Sequence, residues 1–202
     1  MNKICEISAG DFFTQKIKVG EIKQHSWEYC KELSLGKKVL HIGCSDYPIF
    51  NPKTNLHLYL SDFAKDLHGC DINGIDECKK YFDGGNYYKS IEDAGYHEYD
   101  VILAPNVIEH LENPGIMIDR LFEIKFKKLF ILVPHYAISN QAQYDGQTFT
   151  ERIHPDHYCW YSPYTLYKLL SKHIEYINAE CEMNFFDNQN MISILISVNN
   201  EK

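Results

Sequence analysis

Apolar and polar residues follow one another in blocks typical of alternating strands and helices. A short apolar run at 38–43 ends in glycine, and the stretch 56–67 has the spacing of a helix. The pattern repeats through 133, which predicts a parallel sheet with helices on both faces. The predicted strands are 38–43, 68–72, 87–91, 99–104, 128–133, 174–179 and 191–198, and the predicted helices are 56–67, 75–82, 114–123 and 163–173, with one or two more within 14–35.

Composition and charge narrow the class of protein. Of 202 residues, 45% are apolar and 24% charged, as in an ordinary folded domain. The net charge of −8 repels a polyphosphate backbone, so we expect no nucleic-acid partner.

Cysteine spacing and hydropathy bear on the compartment. Seven scattered cysteines form no C-x-x-C pair, which favours reduced packing residues. We expect no membrane insertion and a cytoplasmic protein, because neither a signal-like run nor an apolar stretch of about 18 residues is present.

Ligands of parallel sheets bind at the carboxyl ends of the strands, where Gly43 and Asp71 lie. The single glycine disfavours a dinucleotide, which needs G-x-G-x-x-G. A nucleoside needs only one close backbone approach and a carboxylate for the ribose hydroxyls, which Asp71 supplies. The alternative is that Asp71 only begins an ordinary turn over 71–74.

Four segments taken in order resemble the motifs of class I S-adenosylmethionine-dependent methyltransferases. These segments are 39–44, 69–72, 99–104 and 106–114, and the last is the most specific. Residues 154–157 and 160–166 are similar to a type 11-like bacterial branch associated with surface-glycan tailoring.

The resemblance implies an α/β Rossmann-like fold: a doubly wound, mostly parallel seven-stranded sheet with helices on both faces and an antiparallel C-terminal hairpin. It implies one domain with four segments: an N-terminal helical cap (1–35), a cofactor-binding core (36–135), a substrate loop (136–161), and a C-terminal helix with strands (162–202).

The implied cofactor is S-adenosyl-L-methionine, and the family's binding positions can be placed on this chain. Gly43 and Cys44 would lie beside the methionine moiety, and Asp71 would hold the ribose. The remaining positions would be Ile72 on the adenine, Glu92 or Asp93 near the adenine amino group, and Ala104 and Asn106 beside the transferred methyl.

The cofactor loop departs from the family pattern. The family has an acid where His41 stands, and a further glycine after Cys44, where this chain has Ser45. An inactive cofactor-sensing or partner-binding relative is therefore the alternative to an enzyme.

Glu109 and His110 bear on metal binding. Some quinol-type methyltransferases hold a divalent ion with an acid followed by a Glu-His pair, but Asn106 stands at the earlier position here. Because an amide is a weaker ligand than a carboxylate, we expect no metal and interpret Glu109 as a helix-opening acid.

The segment 135–161 is rich in histidine, tyrosine and acids and is long for a connection. We expect a small molecule or glycan as acceptor, and a hydroxyl acceptor needs a base. His154 and His157 are the candidates, because imidazole titrates near neutral pH, and His110 is the third. The alternative is that these histidines are structural residues of a turn around Pro155.

Overall fold

A computed structural model describes residues 5–9, 12–16, 25–187 and 190–198, with side chains from residue 25 onward. A small antiparallel hairpin, β1 (Cys5–Ala9) and β2 (Phe12–Lys16), precedes the main sheet. Residues 1–35 were expected to be a helical cap, but 5–9 and 12–16 are strand, and α1 (Ser26–Ser34) is the only helix among the described residues of this range. The expectation for 17–24 lies outside the described residues.

The main sheet has seven strands in the order β10-β11-β7-β6-β3-β4-β5, and β11 alone runs antiparallel. This confirms the expected Rossmann-like, doubly wound sheet with its antiparallel C-terminal hairpin. Its strands are β3 (Lys38–Ile42), β4 (Asp66–Cys70), β5 (Asn86–Tyr88), β6 (Glu98–Pro105), β7 (Lys125–Pro134), β10 (Glu180–Phe186) and β11 (Met191–Ser197).

Helices cover both faces of the sheet. The other helices are α2 (Leu56–Leu60), α3 (Ile75–Tyr81), α4 (Ile91–Ala94), α5 (Pro114–Leu121), α6 (Tyr136–Ser139) and α7 (Pro163–Tyr176), with a 3-10 turn at Ile108–His110. Ser162 begins α7 with a capping box, in which its hydroxyl accepts the Thr165 amide and the Thr165 hydroxyl accepts the Ser162 amide.

Alternation along the strands builds two hydrophobic cores. On β3, Leu40 and Ile42 pack toward α5 and α7, whereas Val39 packs toward α1 and α2. On β7, Ile131 and Phe130 divide in the same way between the two faces. The parallel strands are thus fixed from both sides, and their carboxyl ends meet at one edge.

Several predicted elements differ from the observed ones. Residues 174–179 were predicted as a strand, but α7 continues to Tyr176 and the strand begins at Glu180. The error arises because a buried helix end and a strand both appear as a short apolar run. The helix predicted over 56–67 ends at Leu60, since its apolar stretch also includes the start of β4.

Two buried histidines, one on β3 and one on α2, pack against each other. His41 on β3 stacks on His57 of α2, with ring centroids 5.5 Å apart, next to Phe82 and Tyr87. Neither nitrogen of His57 has a hydrogen-bond partner among the described residues. Burial lowers the pKa of His41 to about 3 and the pKa of His57 well below its usual value. Both rings are therefore neutral in the folded protein.

We predict that the free energy of unfolding falls as the pH is lowered from about 6.5 toward 3. The unfolded chain binds protons at these histidines and the folded chain does not, so each contributes up to about 1.4 kcal/mol per pH unit. Urea unfolding of the protein and of His57→Phe, which keeps an aromatic ring in the site, measures this slope between pH 7 and 4. An equally steep slope in the variant would show that His57 does not contribute.

Candidate active site

Gly43 ends β3 in a left-handed conformation with φ of 74°, and its amide donates to the carbonyl of Cys70 at 2.8 Å. A Cβ at this position would lie 2.7 Å from Cγ2 of Val107, on the segment that follows β6. Glycine is required both by the backbone angle and by this close approach. The ends of β3 and β6 are therefore in direct contact at the edge where a ligand is expected.

The Asp71 carboxylate, which follows β4, accepts hydrogen bonds from Ser45 in the loop after β3 and from Asn73. Its Oδ2 accepts from the Ser45 amide at 3.0 Å and from the Ser45 hydroxyl at 2.8 Å, and its Oδ1 accepts from the Asn73 amide at 3.2 Å. A carboxylate offers about four lone-pair sites, so three are already in use.

The Ser45 hydroxyl can give up its hydrogen bond to Asp71. It also lies 2.7 Å from the carbonyl of Asn73, and a hydroxyl has one proton to donate. When that proton turns to Asn73, Asp71 regains a lone pair and the Ser45 oxygen can itself accept. The serine that replaces a family glycine is thus compatible with a bound ribose.

The other expected cofactor residues are spread around this edge. Ile72 is 77% exposed and free to cover a ring, whereas Cys44 is fully buried, and a hydrogen bond with Cys78, together with burial, raises the pKa of its thiol. Glu92 and Asp93 lie in the first turn of α4 and are exposed, and Glu92 is paired with Arg120 of α5 at 3.1 Å. Cys44 therefore offers its backbone at most.

Ala104 and Asn106 end β6. Ala104 is fully buried within the sheet, and Asn106 is exposed with φ of 54°, its amide donating to the carbonyl of Leu132 at 2.8 Å. The left-handed turn at Asn106 redirects the chain into the 3-10 turn that carries Glu109 and His110. The structure leaves the assigned roles of these cofactor residues as predictions.

All three candidate histidines lie together. The ring of His157 stacks on that of His154, with centroids 4.2 Å apart, and meets that of His110 edge-on at 4.7 Å. The loop between α6 and α7, which also contains the small strands β8 (Gln143–Tyr144) and β9 (Phe149–Thr150), brings His154 and His157 here.

Backbone contacts dock this loop on the 3-10 turn. The amides of Tyr158 and Cys159 donate to the carbonyl of Glu109 at 2.8 and 3.1 Å. Nδ1 of His110 donates to the carbonyl of Asp156 at 3.0 Å, because a carbonyl can only accept. This bond places the lone pair of His110 on Nε2.

Glu109 lies in the first turn of the 3-10 helix, but it is not the exposed acid expected there. Its side chain is 1% exposed, and neither carboxylate oxygen has a hydrogen-bond partner in the described part of the chain. Burial raises its pKa to about 8. The pKa of His157 is lowered to about 4 by burial and by His110 and His154. The only sequence signal for Glu109 was its place beside His110.

These side chains fit a divalent ion. The ligand atoms of Glu109, His110 and His157 lie within 4.8 Å of one another, and the Glu109 oxygens and Nδ1 of His157 lack partners among the described residues. An ion with bonds of about 2.1 Å needs ligands about 3 to 3.5 Å apart, so these side chains would have to move closer together to hold one. The expectation of a metal-free site stays a prediction, and this geometry weighs against it.

Comparison with known proteins gives matches in structure only. No family model and no curated protein matches the sequence. A putative type 11 methyltransferase from Sulfolobus solfataricus is 17% identical with a TM-score of 0.60, and the match covers 89% of this chain and 95% of that one. The chain has the fold of class I S-adenosylmethionine-dependent methyltransferases.

Two further groups of neighbours share this methyltransferase fold. The N-terminal domain of EvdMO1, solved with S-adenosylhomocysteine and D-fucose, is 11% identical with a TM-score of 0.54, covering 97% of this chain and 91% of that one. The small RNA methyltransferase HEN1 is 16% identical with a TM-score of 0.60, and a Pnkp1/Rnl/Hen1 RNA repair complex 14% identical with a TM-score of 0.58. The matches cover 87% and 85% of this chain but only 25% and 40% of those.

The expectation that nucleic acid is excluded as a partner is wrong. RNA methyltransferases of the Hen1 type are among the structural neighbours, so this fold accommodates RNA substrates. Net charge misled because it sums the whole surface, whereas a substrate meets only the charges near the site. As for the membrane, the described helices include none long and apolar enough to cross a bilayer.

We predict that Gly43→Ala lowers the free energy of unfolding by about 2 to 4 kcal/mol, the sum of backbone strain and overpacking against Val107. Gly36→Ala is the matched control, because Gly36 has φ of 67° but open space around it, and it should cost only about 1 to 2 kcal/mol. Urea unfolding measures both. Equal losses would show that the contact with Val107 is unimportant.

We predict that Asp71→Asn weakens S-adenosylhomocysteine binding roughly 10- to 100-fold, because a neutral amide replaces a charged acceptor. Asp76→Asn on α3 is the control, since Asp76 is exposed and its nearest cation, Lys79, is 3.9 Å away. Calorimetry measures both affinities. Unchanged binding in Asp71→Asn would remove Asp71 from the ribose site.

Proposed function

We propose that this protein is an S-adenosylmethionine-dependent methyltransferase that methylates a hydroxyl group. The observation that supports the proposal is the contact between Gly43 and Val107, which would bring a nucleoside site at the ends of β3 and β4 next to the segment that carries Glu109, His110 and, on the docked loop, His157. A methyl donor and an acceptor oxygen bound at these two sites would be neighbours.

Methyl transfer is an in-line displacement, so the protein aligns donor and acceptor and receives the acceptor's proton. His157 is one candidate proton acceptor, because its Nδ1 has no partner among the described residues. His110 presents Nε2 as a second acceptor. His154 is less suited, because its Nδ1 already accepts the Asp156 amide at 3.4 Å.

The same atoms would be the ligands of a metal ion if one were bound here. A divalent ion at Glu109, His110 and His157 would supply Lewis acidity toward the acceptor oxygen. In either case the role of the chain is to hold lone pairs of His157 and His110 against the acceptor. Removal of the His157 ring should therefore affect turnover more than cofactor binding.

We favour a sugar or glycan hydroxyl as acceptor. The structural neighbour solved with D-fucose and the glycan-tailoring resemblance of 154–166 support this choice. Exposed aromatic side chains on the same loop, Tyr144, Phe149 and Tyr158, offer surfaces on which a sugar can stack. A part in bacterial surface-polysaccharide biosynthesis stays a prediction.

A hydroxyl of RNA is the second candidate, and it is supported by the Hen1-type neighbours, one of which is named as a small RNA methyltransferase. It needs the same chemistry at the acceptor oxygen. The third possibility, a cofactor-binding protein without activity, rests on Ser45 in place of a loop glycine. Release of S-adenosylhomocysteine, measured with nucleotide sugars and glycan fragments in one set and short RNAs in the other, distinguishes the three. Binding of the cofactor without turnover in either set would favour the inactive protein.

With the acceptor so identified, we predict that His157→Ala lowers the turnover number about 10²- to 10⁴-fold and leaves the affinity for S-adenosylhomocysteine unchanged. His154→Ala, the matched control from the same turn, should change turnover much less. Steady-state kinetics and calorimetry measure the two quantities. Parent-like turnover in His157→Ala would show that the ring is structural.

A further inference from the structure

The loop between α6 and α7 contains a hairpin, residues 140–152, whose base is closed by Asn140 and Arg152. The Arg152 amide donates to the carbonyl of Asn140 at 2.6 Å, and Nδ2 of Asn140 donates to the carbonyl of Arg152 at 3.2 Å. The same Nδ2 lies 3.1 Å from Oε2 of Glu151 and donates to it as well. Because Asn140 is fully buried, these bonds fix the backbone at Arg152 and hold the acid beside it.

The side chain of Arg152, by contrast, is exposed and unpaired. Among the residues that the structure describes, none forms an ion pair or hydrogen bond with its guanidinium. The other arginine of the chain, Arg120, lies 3.1 Å from a Glu92 oxygen and 3.0 Å from a Glu123 oxygen. Arg152 therefore offers a charged donor group that the fold does not use.

We infer that Arg152 binds an anionic group of the acceptor, a carboxylate or a phosphate ester on the sugar that presents the hydroxyl. The inference rests on the proposed function and narrows its acceptor to an acidic sugar. Removal of the guanidinium should then weaken the binding of acidic sugars and leave that of neutral sugars unchanged.

The charge balance of the loop is the first argument. Arg152 is the only lysine or arginine between 136 and 161, in a chain with a net charge of −8. Burial and the neighbouring histidines lower the pKa of His157 to about 4, so its ring is neutral near neutral pH, whereas an arginine is always protonated. An anion that most of the surface repels meets an opposite charge at Arg152.

The position of Arg152 along the chain is the second argument. Arg152 precedes His154 by two residues, and the ring of His154 stacks on that of His157 at 4.2 Å. Two residues of chain span at most about 7 Å, a distance that an extended arginine side chain also covers. The guanidinium can therefore reach a sugar whose hydroxyl faces His157.

The chemistry of the side chain indicates the class of ligand. A guanidinium directs two parallel N–H groups at a carboxylate or phosphate, and such charge-assisted bonds are stronger than those to a neutral hydroxyl. The exposed rings of Tyr144 and Phe149 on the hairpin can stack on further sugar units. One cation matches one anionic group, as in an acidic sugar, whereas an RNA strand presents a row of phosphates.

Calorimetry with paired sugars tests the inference without the cofactor. One pair is trigalacturonic acid and its methyl ester, and the other is glucose 1-phosphate and methyl glucoside. The charged member of at least one pair should bind about 10-fold tighter or more, and salt should reduce the difference. A preference in the first pair alone identifies a carboxylate, and one in the second alone a phosphate. No preference in either pair would overturn the inference.

Variants of Arg152 test whether this residue causes the preference. Arg152→Ala should weaken binding of the charged sugar about 10-fold or more, and Arg152→Lys, which keeps the charge but not the paired donors, should weaken it less. Lys125→Ala, the matched control, removes an exposed cation at the other end of β7 and should change nothing. An unchanged preference in Arg152→Ala would overturn the inference.

Folding and an alternative ligand are checked with the same variants. Arg152 contacts Asn140 through its backbone, so Arg152→Ala should fold, which circular dichroism confirms. If Arg152→Ala weakened the binding of a short RNA while neither acidic sugar was preferred, the ligand would be RNA and the inference would be wrong. Because these assays contain no methyl donor, their failure is distinguishable from absent release of S-adenosylhomocysteine, which would contradict the proposed methyl transfer.

Discussion

The close packing of Gly43 against Val107 is the contact on which the proposed site depends. It joins the turn after β3 to the turn after β6 and leaves no room for a side chain at position 43. Because β3 and β6 are neighbouring parallel strands, their carboxyl ends are already at the same edge, and this contact sets their distance. The proposed nucleoside side, with Asp71, and the proposed acceptor side, with Glu109 and the histidines, would therefore be parts of one site.

Three titratable side chains, His41, His57 and Glu109, are buried in two different arrangements. His41 and His57 are buried as a neutral stacked pair, where burial removes their charge. Glu109 is buried beside partly exposed imidazoles that can share a cation with it. In both arrangements burial favours the neutral form of the side chain, because an unpaired buried charge costs free energy.

The sequence was sufficient for the sheet but not for all of the site. Alternating apolar blocks predicted a parallel sheet with helices on both faces. The family resemblance predicted the antiparallel C-terminal hairpin, which contains β11. The strand expected at 174–179 failed because local apolarity does not distinguish a helix end from a strand. The partnership of Glu109 with His157 was not predictable from spacing, since it depends on how the long loop folds back onto the 3-10 turn.

A crystal structure of the protein with S-adenosylhomocysteine tests directly whether Asp71 and the segment after β6 form one site. We expect a ribose hydroxyl within about 3.2 Å of the Asp71 carboxylate and the cofactor sulfur facing the segment 106–110. Such a structure would also show whether the Ser45 hydroxyl has turned toward Asn73. A nucleoside bound away from Asp71, or a sulfur pointing away from the 3-10 turn, would contradict the account.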